Sequence, residues 1–214
     1  MADTIENIRK KYFEIHETLS TAYHECGHAV YGLLHFMMVE GIVLFEDKKT
    51  KRIFGYTDYS SKILSSIESE ELLNDRLHAE IGVLYAGLVV DKIFFKQISG
   101  SDKYPMFLKE GASNDISVAS GLFIKYNLMM PGKERYRHKQ KIIKNVKHDL
   151  LLYWDDVMLL SHAVFKKKKL NYSEIYNILC VKSNNKKFWK EQYKKINKLY
   201  NSSKEDDILN IVNA

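Results

Sequence analysis

Only two prolines, Pro105 and Pro131, interrupt this chain of 214 residues. Proline ends or kinks a helix because it lacks an amide hydrogen and its ring clashes with the preceding turn. Glycine, the next strongest breaker, occurs ten times. A chain so poor in breakers can run long uninterrupted helices. The expectation is a mostly α fold with a small β-hairpin or sheet.

Hydrophobic periodicity places the elements. Apolar positions Ile5, Ile8, Tyr12, Phe13 and Ile15 predict a helix over 4–18. Ser20 or Thr21 is suited to cap a second helix that runs through His24 to about Met38. Residues 41–45 and 52–59 read as strands joined by a polar loop over 46–51. A helical pattern returns over 69–95, with Leu73, Leu77, Ile81, Leu84, Leu88 and Ile93 on one side. An irregular loop is expected over 97–111, then a helix over 114–130 closed by Pro131-Gly132. A long helix over 139–165, a bend over 166–171, a short helix from about Ser173 and a basic amphipathic helix over 187–200 complete the chain. No repeat or clear boundary divides it. It reads as a single domain over 1–214, with its core at about 18–182 and a basic C-terminal helical extension over 183–214.

Hydrophobic residues at 45% and charged residues at 28% exclude a disordered chain. The formal net charge is +6, which suits nucleic acid, an acidic partner or a membrane surface. The charge is nearly all lysine, however, and clusters late, over 166–169 and 186–198, with no binding motif or aromatic platform beside it. It reads as solvated helix faces, and nucleic-acid binding is not expected. Cys26 and Cys180 do not make a disulfide framework. Residues 1–11 are too polar for a signal peptide, and the longest apolar runs, such as 81–90, are too short for a bilayer. These features predict a cytoplasmic protein with no membrane partner.

The chemistry lies in His24-Glu25-Cys26-Gly27-His28, an H-E-x-x-H sequence inside an apolar helical run. Residues four apart share a helix face, so both imidazoles can meet one metal ion. Glu25 then stands beside the metal without ligating it, placed to take a proton from a water molecule there. Eight histidines make such a pattern arise by chance in about two sequences in a hundred, so a third ligand is needed. Asp91, Asp102, Asp115 and His78 are the candidates. Asp115 stands where a Gly-Ala turn meets a helix start, a position the helix dipole favours for a carboxylate. The remaining histidines, His16, His35, His138, His148 and His162, read as ordinary helix residues, and Cys26 as a small core residue.

Two segments together carry a family likeness. Thr21-Ala22-Tyr23-His24-Glu25-Cys26-Gly27-His28-Ala29-Val30, followed by Gly111-Ala112-Ser113-Asn114-Asp115-Ile116, resembles the peptidase domain of FtsH-type ATP-dependent zinc proteases. The likeness runs from about 21 to 179. It implies a zincin-like helical peptidase domain with one zinc ion per chain, held by His24, His28 and Asp115, and Glu25 as the catalytic base. The chain departs from the family in lacking a G-x-x-x-x-G-K-[ST] phosphate loop, and with it the AAA+ ATPase module. Where the family shows Gly-Gly-Arg and a glutamate pair, this chain reads Ala86-Gly87-Leu88-Val89-Val90-Asp91-Lys92. Asp91 is therefore the rival ligand, or a partner for a ligand histidine's N–H.

The expected activity is that of a metalloendopeptidase cutting flexible or unfolded polypeptides, ATP-independent in itself and able to work with a separate ATPase. The strand over 52–59, at Phe54, Gly55 and Tyr56, is the candidate for aligning substrate by backbone pairing. A monomer or weak homo-oligomer is expected. Two other readings stay open: an inactive relative serving as an interaction module, and a nucleic-acid-binding protein using the basic C-terminal helix.

Overall fold

The helix break expected at Ser20 or Thr21 does not occur: α1 runs unbroken from Ile5 to Leu34. Thr21 spends its hydroxyl inside the helix, donating to the Glu17 carbonyl at 3.0 Å, rather than capping a new one. The computed structural model describes residues 5–60, 70–100, 112–125 and 131–201. Along α1 the fully buried positions Ala22, Cys26, Ala29, Val30 and Leu33 form one helical stripe. Each large aliphatic side chain buried there contributes about 1.5–3 kcal/mol.

Strands β1 (Val39–Glu46) and β2 (Ile53–Tyr59) form the expected hairpin, antiparallel and in register Val43 to Tyr56, Leu44 to Gly55 and Phe45 to Phe54. A third strand, β3 (Lys169–Asn171), pairs antiparallel with the other edge of β1, giving the order β2-β1-β3. It occupies the stretch read as a bend, because three residues are too few to show alternation. The turn into it is made by Lys168 in the left-handed region, φ 65°. Ile42, Leu44 and Leu170 are buried on the inner face of the sheet.

Among the described residues, five further helices and a short sixth follow: α2 (Glu70–Ser99), α3 (Ser113–Lys125), α4 (Gly132–Leu152), α5 (Trp154–Lys167), α6 (Tyr172–Asn177) and α7 (Lys186–Asn201), with a π turn over 178–182. The fold is thus mostly helical with one small antiparallel sheet. Instead of one helix over 139–165 there are two. The Tyr153 amide closes α4 on the Asp149 carbonyl while its own carbonyl opens α5, accepting from Asp156 and Val157. No proline or glycine marks that break. Pro131 stands at the N-cap of α4, where its missing N–H costs nothing, while the expected end of the helix over 114–130 falls outside the described residues. Of the expected loop over 97–111, α2 takes the start, reaching Ser99; 101–111 and 126–130 lie outside the described residues.

The basic helix α7 is amphipathic as expected, and its apolar side enters the main core. Trp189, Tyr193 and Ile196 are buried in the same hydrophobic cluster as Ala22, Val30 and Leu33. Gln192 Nε2 donates to the carbonyls of Leu33 and Leu34 at 2.8 and 3.0 Å, satisfying the C-terminal end of α1. Buried Asp156, in the first turn of α5, accepts from Ser183 Oγ and from Asn185 Nδ2, tying α5 to the segment that leads into α7.

Candidate metal centre

On α1, His24 and His28 stand one turn apart on the same face, their ring centres 4.7 Å apart. Asp115 comes from the first turn of α3. Its Oδ2 lies 3.2 Å from His24 Nε2 and 3.4 Å from His28 Nε2. A tetrahedral zinc ion with ligands at about 2.0–2.2 Å would have neighbouring ligand atoms about 3.4 Å apart. The observed separations match that edge.

The other ring nitrogens are occupied. His24 Nδ1 donates to Asp91 Oδ2 at 2.8 Å, and His28 Nδ1 donates to the Val83 carbonyl at 2.6 Å. Both acceptors lie on α2. With Nδ1 carrying the proton, Nε2 of a neutral imidazole keeps its lone pair turned inward, as a metal ligand needs. Asp91 is thus the hydrogen-bond partner of His24, a candidate ligand, and does not itself join the three converging groups. His78 stays outside the group, Nε2 to Nε2 with His138, and Asp102 is outside the described residues.

The approach of α2 depends on missing side chains. A Cβ on Gly87 would overlap His24 Cε1 and Nε2 and sit 2.6 Å from His28 Nε2. On α1, a Cβ on Gly27 would sit 2.5 Å from Val90 Cγ2 and 3.2 Å from the Ala86 carbonyl, so the bare glycine lets α2 approach. Gly87 enters the sequence reading only within the stretch compared with the family, and the Val83 carbonyl not at all, since both roles exist only across the α1–α2 crossing.

Glu25 is buried, and β2 holds it. Thr57 Oγ1 lies 2.9 Å from Glu25 Oε2 and 2.8 Å from the Glu25 carbonyl, so its one proton can serve either acceptor. A Cβ on Gly55 would sit 2.5 Å from Glu25 Cγ. Of the three residues expected to align substrate, only Gly55 faces the site. Phe54 and Tyr56 point to the other side of the sheet, 43% and 50% exposed, with Phe45 between them at ring-centre distances of 6.0 and 6.3 Å. Strand alternation decides this, and Thr57 is the neighbour it brings in.

The charge balance favours a cation. Glu25 and Asp91 are buried and Asp115 half-buried; among the described residues none forms a salt bridge with lysine or arginine. Burial alone pushes the His24 imidazole down, but Asp91, Asp115 and Glu25 together hold it well above its ordinary value. Burial likewise works against the Asp115 carboxylate, yet hydrogen bonds from His24 and His28 bring it well below the usual carboxylate range.

His24, His28 and Asp115 therefore form a two-histidine, one-carboxylate group that can hold a metal ion, their ligand atoms all within 4.8 Å of one another. Among the described residues no helix is long and apolar enough to cross a membrane. No protein-family model matches the chain, and no curated protein matches it.

Proposed function

We propose that this chain is a zinc-dependent metalloendopeptidase of the FtsH peptidase type, acting on flexible or unfolded polypeptide. The observation that carries the reading is the convergence of His24 Nε2, His28 Nε2 and Asp115 Oδ2 within 4.8 Å of one another, Asp115 at tetrahedral spacing from both imidazoles, with Glu25 next to His24 in the chain. Three protein ligands leave the fourth position of a tetrahedral ion open to substrate chemistry. Zinc, when bound, supplies Lewis acidity that lowers the pKa of water and polarises a carbonyl.

The chain's own residues do the rest. Asp91 and the Val83 carbonyl orient the imidazoles. Glu25, oriented by Thr57, accepts the proton of the attacking water and passes it to the leaving amine. Strand β2 is one edge of the described sheet, and Gly55 puts no side chain between it and Glu25. An extended polypeptide pairing with that edge would be read through its backbone, with loose side-chain preference. Stable folded substrates would need an ATPase to unfold them. The buried free thiols of Cys26 and Cys180 fit a reducing compartment such as the cytoplasm.

The test combines elemental analysis with cleavage of an unstructured fluorogenic polypeptide. The expected result is one zinc per chain at the centre and cleavage that Glu25→Gln abolishes with zinc retained. Zinc binding without wild-type cleavage would sink the peptidase reading, and cleavage by Glu25→Gln would remove Glu25 from the mechanism.

A further inference from the structure

Away from the centre, a second pair of imidazoles meets between α2 and α4. His78 Nε2 and His138 Nε2 are 3.1 Å apart, with ring centres 5.0 Å apart and ring planes at 48°. Both residues are half-buried. They sit on helices anchored in the core by Leu77 and Ile81 on α2 and by Ile142 and Val146 on α4. The rings are therefore held by two packed backbones.

The two distances can be set against two arrangements. Rings pointing straight at each other across a hydrogen bond of this length would have centres about 5.4 Å apart. Rings whose lone pairs converge on one ion at about 2.05 Å, with nitrogens 3.1 Å apart, subtend roughly 100° at it and have centres about 4.9 Å apart. The observed 5.0 Å is too short for a straight hydrogen bond and matches the convergent spacing, which a bent N–H···N bond between the same rings also gives. An angle of that size falls between the octahedral and tetrahedral values, so both kinds of coordination can be completed by water.

We propose that His78 and His138 form a second metal site, which takes a divalent transition ion such as zinc and bridges α2 to α4. Imidazole nitrogen suits zinc, copper and nickel, and with two protein ligands the site is weaker than the three-ligand centre. Burial, the neighbouring His78 and Lys141 all push the His138 imidazole below its ordinary value, which keeps its lone pair available near neutral pH. The bridge would stiffen the helix that provides the Val83 carbonyl, Gly87 and Asp91 to the first centre, while sharing no ligand with it.

Zinc alone, titrated calorimetrically into the metal-stripped full chain, tests this. The expected result is a binding event that disappears in both His78→Gln and His138→Gln, while binding at His24, His28 and Asp115 is unchanged. Acylation of the wild-type chain by diethyl pyrocarbonate, read by mass spectrometry, supplies a measurement that needs no variant. Zinc should reduce labelling of His78 and His138 several-fold. Persistence of every zinc-binding event in both variants, or equal labelling of the two histidines with and without zinc, overturns the site.

Discussion

Asp91, on α2, accepts a hydrogen bond from His24 Nδ1 at 2.8 Å across a sequence separation of 67 residues. Asp91 is itself buried, so the contact selects the His24 tautomer and strengthens Nε2 as a ligand. Asp91→Ala is expected to weaken zinc binding about 10–100-fold with the fold intact. Competition against a chromophoric chelator measures this, and wild-type affinity in the variant would show that Asp91 does not support His24.

Gly87→Ala should empty the centre. The new methyl would overlap His24 and crowd His28 Nε2, so α1 and α2 must part or the rings must turn. Overpacking of this kind costs about 1–3 kcal/mol. Gly121 on α3 is the control, since a Cβ there meets nothing within 4 Å. Gly121→Ala should stabilise by about 0.5–1 kcal/mol and leave zinc content unchanged. Denaturation midpoints and metal analysis of both variants decide whether close approach, rather than helix propensity, sets the role of Gly87.

Metal uptake should release a proton. The folded metal-free chain holds His24 well above its ordinary value of 6.5. Stability from protonated His24 is fully present below about 6.5 and is lost as pH rises through the higher folded value. For Asp115, lowered from 3.8, the sign is opposite: its contribution is present above that value and is lost as pH falls through the folded one. Zinc affinity should therefore climb with pH until His24 has deprotonated, with about one proton released per ion at neutral pH. Calorimetry in buffers of different ionisation enthalpy counts the protons, and a count of zero would contradict the assignment.

Gln192→Leu keeps the side chain's bulk and removes both donors to the end of α1. Two buried carbonyls, on Leu33 and Leu34, lose their partner. The expected destabilisation is about 1–3 kcal/mol, seen as a lower urea midpoint at unchanged slope. No change would mean that α7 holds α1 through its apolar contacts alone.

Thr57→Val removes the hydroxyl proton that reaches Glu25 Oε2 and leaves the shape of β2 nearly unchanged. Zinc content should stay at the wild-type level while the cleavage rate falls about tenfold or more, the scale expected when proton transfer is impaired. A wild-type rate would mean that Glu25 needs no such orientation.

What could be read along the chain is what local periodicity encodes. Four residues make one helical turn, so His24 and His28 shared a face before any fold was known, and Glu25 stood beside them. Scarce breakers meant long helices, and alternation over 52–59 meant a strand. Where the local signal is weak or ambiguous, the fold departs from it: Ser20 or Thr21 suits a cap yet both lie inside α1, the break at Tyr153 carries no proline or glycine, and β3 is three residues long. Asp115 was only one of several carboxylates until a family likeness singled it out.

The rest was decided between elements. That Asp115 reaches both Nε2 atoms, that Asp91 and the Val83 carbonyl fix the opposite ring nitrogens, and that Thr57 rather than Phe54 or Tyr56 faces Glu25 are facts of packing. So is the meeting of His78 with His138. Such contacts join residues 32 to 91 positions apart, where sequence spacing carries no distance information. Local sequence determined the donors on one helix; the close crossing of α1 and α2, with the ends of α3 and β2 brought beside it, determined which groups complete the site.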